Sequence, residues 1–132
     1  MKQYAVAYFV TLVAFLGIDA VWLTVVTERL YKPHLSHLLA DRYNLAAAGL
    51  FYVVYVAGIL VFAVVPAFKA GTWTTAALYG AAFGFCAYAT YDLTNQATLK
   101  DWPALITIAD LAWGTLLTAT AATIGYLVTR SR

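Results

Sequence analysis

Three aspartates, Asp19, Asp92 and Asp110, interrupt stretches that are otherwise apolar enough to sit in hydrocarbon. A carboxylate inside a bilayer is costly, so such residues face a protein interior or a watered cavity and mark candidate sites. Carboxyl groups placed this way can relay a proton, act as a general acid or base, or attract a cation. Asp19 and Trp22 are three residues apart, and so are Asp110 and Trp113, so one D-x-x-W element occurs in two segments. Tyr88, Tyr91, Asp92 and Asn95 follow the i, i+3, i+4, i+7 spacing of one helix face. Asp92, Asp110 and Asp19 are therefore the candidate catalytic acid–base groups. Trp22, Tyr52, Tyr55, Tyr88, Tyr91, Asn95 and Trp113 are the candidate ligand-binding residues, with Asn95 orienting the substrate. Indole and phenol rings around a carboxylate can also cage a quaternary ammonium.

The elements that hold these residues follow from composition. The chain has 132 residues, is 64% hydrophobic and only 11% charged, with a mean hydropathy of +0.78. A soluble domain of this size needs far more charge at its surface, so the expectation is an integral membrane protein folded as a single transmembrane domain over 1–132. The net charge is +2 without a basic run, which argues against a nucleic-acid partner. The single cysteine, Cys86, excludes an intrachain disulfide and a thiolate metal cage, and reads as a small buried hydrophobe. The opening segment is too long for a signal sequence and lacks a small-residue cleavage site, so it reads as a mature helix.

Four spans emerge, at about 4–26, 45–65, 73–95 and 103–128, each near the ~20 residues a bilayer core requires. The second stops at Pro66, and the fourth starts at Pro103, a favoured first helical residue. Short connections make neighbouring spans antiparallel. The expected fold is all-α, an integral membrane four-helix antiparallel bundle with a short interfacial helix after the first span. That helix has Pro33 in its first turn and covers the HLSHLLADRY stretch, with Leu35, Leu38 and Leu39 opposite His34, His37 and Asp41. Tyr4, Tyr8, Trp73, Trp102 and Tyr126 are placed to anchor span ends at headgroup level. Four Lys/Arg fall on each side of the bundle, so the positive-inside rule does not choose an orientation. Cytoplasmic termini are the working orientation.

Helices rise ~1.5 Å per residue, so antiparallel threading brings Asp19, Asp92 and Asp110 to one leaflet at similar depth. Gly80 and Gly84 form a GxxxG edge, and Gly114 begins a similar small-residue edge; these faces could bring helices together within the chain or in a homo-oligomer. The sober alternative is that the polar residues only fix helix packing, at ~0.6 kcal/mol per contact.

The strings LGIDAVWL, FYVVYVAGILVFAVVPAFKAGTW, AYATYDLTNQATLKDWP and DLAWGT resemble a bacterial membrane family, domain-of-unknown-function 2177, over nearly the whole chain. The resemblance implies the membrane fold and a multi-pass location in the bacterial inner membrane. It supplies no activity to carry over. It does imply that Asp19, Trp22, Tyr91, Asp92, Thr94, Asn95, Trp102, Pro103, Asp110 and Trp113 belong to the family's motif.

Three functional readings remain open on the residues alone. The leading one is a one-leaflet pocket for a membrane lipid headgroup or small amphiphile, in a lipid-modifying enzyme or its subunit. The second is a small proton-coupled transporter acting as a dimer. The third is a structural membrane protein without a ligand. A metal on His34 and His37 is a weaker idea, because the ligand set is incomplete. No cofactor is called for. Phosphate loops, serine-nucleophile elbows and H-E-x-x-H zinc motifs are absent from the sequence.

Overall fold

A computed structural model describes residues 2–38 and 44–130. The first helical run comprises α1 (Lys2–Val26), a π turn (Thr27–Tyr31) and α2 (Lys32–Leu35) without a break. The second comprises α3 (Leu45–Ile59), a π turn (Leu60–Val64) and α4 (Val65–Ala70). Two further helices follow, α5 (Trp73–Thr98) and α6 (Ala104–Thr129). No strand occurs among the described residues, and the four runs form the expected all-α membrane bundle. Three of the runs are long and apolar enough to cross a membrane. The exception is α5, which matches α6 in length at 26 residues but carries the polar Tyr88–Asn95 stripe.

The second run does not stop at Pro66. Proline lacks an N–H, and its ring clashes with the carbonyl one turn earlier. The π turn over Leu60–Val64, immediately before it, widens the ladder at that point and lets the helix continue to Ala70. Gly71, at φ 75°, then ends the helix and donates its N–H to Ala67 O at 2.7 Å. Only residues 71 and 72 separate α4 from α5, so these helices must be antiparallel. At the other end of this run, the Asn44 side chain accepts from Ala47 N at 3.0 Å and starts α3.

The segment after the first span is shorter than the sequence suggests. Pro33 does stand in the first turn of α2, but α2 ends at Leu35 and continues directly from α1. Leu35 is buried while Leu38 is exposed; Leu39, Asp41 and Arg42 lie outside the described residues.

The tightest pairing joins α5 to α6. A Cβ on Gly84 would lie 2.7 Å from Thr118 Cβ and closer still to the Gly114 carbonyl oxygen, and one on Gly80 would lie 3.0 Å from Thr118 O. Gly114 in turn seats the ring of Tyr88. Of the two uses open to the Gly80, Gly84 and Gly114 faces, these contacts are the one within the chain. Phe15, Val56, Ile59, Val64, Leu117 and Ala121 are buried at the bundle centre, whereas Phe9, Val13, Leu50, Val54, Leu78 and Leu116 point outward. This apolar exterior suits lipid rather than water. Two expectations are corrected here. Cys86 is exposed on the outside of α5, not buried. Tyr126 is buried against Phe68, so it cannot anchor a span end at the interface, whereas Tyr4 and Trp73 are exposed as anchors should be.

Candidate functional site

All three intramembrane aspartates point inward: Asp19 and Asp110 are each 8% exposed and Asp92 is 0% exposed. Asp19, on α1, accepts from two other helices. Tyr52 Oη of α3 donates to its Oδ2 at 2.7 Å, and Trp113 Nε1 of α6 donates to its Oδ1 at 3.2 Å. Asp110, one turn before Trp113 on α6, accepts a short hydrogen bond from Tyr31 Oη at Oδ1. Tyr31 Oη in turn accepts from Trp22 Nε1 at 2.9 Å. The two D-x-x-W elements therefore interlock: the Trp of each serves the aspartate of the other, Trp113 directly and Trp22 through Tyr31. Their indoles stack with centroids 4.2 Å apart and planes 9° apart.

Tyr31 is the cavity-lining residue that spacing alone misses. Nine residues are two and a half turns of α-helix, which would put Tyr31 on the face opposite Trp22. The π turn over Thr27–Tyr31 absorbs an extra residue and swings its ring back over the site. Single π turns of this kind recur at functional positions.

These side chains surround a partly open cavity of about 340 Å³. It is lined by Asp19, Trp22, Tyr52, Tyr55, Tyr88, Tyr91, Asp110 and Trp113, all expected from the sequence, together with Leu23, Tyr31, Phe51 and Ala87. Tyr55 closes the floor, with its hydroxyl 2.8 Å from Thr118 Oγ1 and its ring stacked on Phe83 and Phe51. No Lys, Arg or His lines the cavity among the described residues.

Two expected residues stand elsewhere. Asn95 is half-buried and does not line the cavity, so it cannot orient a ligand there. Asp92 lies behind the wall as an electrostatic neighbour of Asp110. Both Asp92 carboxyl oxygens are buried and accept from no donor group; what they face within hydrogen-bonding reach is the Asp110 carboxyl. A buried carboxyl facing another needs a proton or a cation to be tolerated. Direct acid–base contact with a ligand in this cavity is thus open to Asp19 and Asp110 but not to Asp92.

Two adjoining hollows extend the site. One, of about 360 Å³, is lined by Leu23, Thr27, Tyr31, Leu35, Tyr91, Trp102 and Asp110, so the Tyr31–Asp110 bond stands between it and the main cavity. The other is an apolar groove of about 390 Å³ along Ile18, Val21, Val25 and Val26, which shares Trp22 and Trp113 with the main cavity. The histidines take no part. His34 Nδ1 is 2.8 Å from Leu30 O and His37 is exposed. No group of three or more potential metal ligands forms among the described residues, so the His34/His37 metal idea lacks its remaining ligands.

The family described as "Predicted membrane protein (DUF2177)" matches residues 4–127. The chain belongs to this family and is an integral membrane protein. No curated protein and no solved structure matches it.

Proposed function

We propose that this protein binds a lipid headgroup or small amphiphile in a polar pocket within one leaflet, as a lipid-binding protein or as a lipid-modifying enzyme or its subunit. One observation carries the reading. A cavity lined by carboxyl, phenol and indole groups adjoins a wholly apolar groove across the Trp22–Trp113 stack. A polar head in the first and an alkyl tail along the second is the arrangement an amphiphile requires. The groove runs along α1, whose neighbouring side chains Val21 and Val25 are exposed, so a tail has an entry path from the surrounding lipid. A location in the bacterial inner membrane with cytoplasmic termini belongs to the same proposal.

The test is photo-crosslinking with a diazirine-tailed phospholipid in nanodiscs, followed by peptide mapping. Labels concentrated on 18–26 and 110–113, and lost in Trp113→Leu, support the reading. Labels spread evenly over the exposed faces of all helices refute it and leave a structural protein without a ligand. The buried Asp92 carboxyl facing that of Asp110 favours a second reading, a small proton-coupled transporter acting as a dimer. Flux driven by a pH gradient in proteoliposomes and lost in Asp19→Asn would carry that reading, although the glycine faces offer it no free dimer contact.

A further inference from the structure

We infer that the head bound in the main cavity is an organic ammonium, held between aromatic faces and drawn by Asp19 and Asp110. The inference rests on the amphiphile reading above and deepens it by naming the charge and chemistry of the head.

The first support is the sign of the wall. Two carboxyl groups line the cavity, a third backs one of them, and no basic side chain faces it among the described residues. The nearest basic residue in the chain order, Lys32, pairs instead with Glu28 at 2.6 Å, on the exposed face of its helix. An anionic head such as a phosphate or sulfate would meet like charge and find no counter-charge among the described lining residues. A cation relieves the cost of keeping these groups away from water.

The second support is the state of the acceptors. Asp19 has one donor on each oxygen, which fixes its orientation. Asp110 has a donor on Oδ1 only. Asp92 is 0% exposed, accepts from no donor group, and faces the Asp110 carboxyl within hydrogen-bonding reach. A carboxylate can accept up to about four hydrogen bonds. The lining carboxyl groups therefore keep acceptor capacity at one wall of the cavity. The Trp22, Tyr31, Tyr52 and Trp113 donors are already committed, and a neutral polyol would add donors without relieving the charge.

The third support is the aromatic lining. Trp22, Trp113, Tyr31, Tyr52, Tyr88 and Tyr91 enclose the space. Ring faces attract ammonium and its N-alkyl groups but coordinate no metal ion. The cavity of about 340 Å³ is roomy enough for a substituted ammonium rather than a bare cation. Two sources share this chemistry, the amine headgroup of a phospholipid and a free lipophilic ammonium.

The experiment uses the full chain in maltoside detergent and reads tryptophan emission against three probes with the same tail: hexyltrimethylammonium, hexanol and hexyl sulfate. Saturable quenching by the ammonium is expected, with at least about tenfold weaker binding of the alcohol and the sulfate. Trp22→Phe should remove most of the signal, and Asp110→Asn should weaken ammonium binding by about tenfold. If Asp110→Asn fails to fold, the three-probe comparison on the native chain still decides. Equal binding of alcohol and ammonium, or preference for the sulfate, overturns the ammonium inference while leaving the amphiphile reading standing. No saturable binding by any probe overturns both. Native mass spectrometry from bilayers mixing phosphatidylethanolamine and phosphatidylglycerol separates the sources. Retained phosphatidylethanolamine points to the phospholipid amine. Probe binding with neither lipid retained points to the free ammonium. Retained phosphatidylglycerol overturns the inference.

Discussion

Removing one hydroxyl, in Tyr31→Phe, tests how the two halves of the site are tied together. The Tyr31 oxygen accepts from Trp22 Nε1 and donates to Asp110 Oδ1. A neutral N–H···O bond contributes roughly 0.5–1.5 kcal/mol, and one to a charged acceptor roughly 1.5–3 kcal/mol. The sum is an upper bound, because Tyr31 is only half-buried and Asp110 also borders the neighbouring hollow, where water can replace the lost donor. The expected loss is therefore about 2–3 kcal/mol. The assay is reversible unfolding by sodium dodecyl sulfate in maltoside micelles, followed by tryptophan emission. Tyr79→Phe is the control, since Tyr79 is exposed; it should stay within about 0.5 kcal/mol of the native chain. A double-mutant cycle with Asp110→Ala, which leaves no acceptor, isolates the bond, with an expected coupling of about 1–2 kcal/mol. Additive effects within about 0.5 kcal/mol would show that Tyr31 and Asp110 do not interact, and the π turn would then have no role in building the site.

Other substitutions probe the rest of the bundle. Gly84→Ala should destabilise by about 1–3 kcal/mol in the same assay, because its Cβ would press on Thr118 and the Gly114 backbone. Gly17→Ala, with nothing within 4 Å of its Cβ, should be neutral or stabilising by up to about 1 kcal/mol; equal behaviour of the two variants would refute the α5–α6 contact. Asp19→Asn should cost about 1–3 kcal/mol, since an amide nitrogen cannot accept from whichever donor it replaces an oxygen for. Asp92→Asn should cost less than Asp19→Asn or be neutral, because that carboxyl accepts from no donor group and an amide N–H can still donate to the facing Asp110 carboxyl; a loss as large as that of Asp19→Asn would mean that Asp92 accepts bonds of its own. Cys86 should react fully with N-ethylmaleimide in the folded, detergent-solubilised protein, and protection until unfolding would reverse its outward placement.

The convergence of Asp19 and Asp110 is legible in the sequence because it depends only on helical rise and on short connections that force antiparallel threading. The D-x-x-W spacing is likewise enough to bring Trp22 and Trp113 together with the acids. Tyr31 is not legible: its place depends on a π turn, and no simple periodicity announces one. The same reason explains Pro66, whose clash is absorbed by local widening rather than by ending the helix. Asp92 and Asn95 share a helix face with Tyr88, but periodicity cannot tell the residue that lines a cavity from the one a layer behind it. Small-residue edges have a similar ambiguity. Gly80, Gly84 and Gly114 announce a close helix contact without saying whether the partner is the same chain. The outward place of Cys86 is hidden because a helix segment that is apolar all round gives no sign of which face meets lipid.

The central claim is that α1 and α6 present Asp19 and Asp110 to one shared cavity. Its most direct measurement is cross-linking in native membranes, using Asp19→Cys with Asp110→Cys in a Cys86→Ser background and a short bifunctional methanethiosulfonate. Gln3→Cys with Thr129→Cys serves as the reference, because Gln3 Nε2 donates to Thr129 O at 3.1 Å across the same two helices. Both pairs should link within one chain, and an amphiphilic ammonium should slow only the Asp19–Asp110 pair. Efficient linking at the reference pair with none between the two aspartate positions would contradict the central claim.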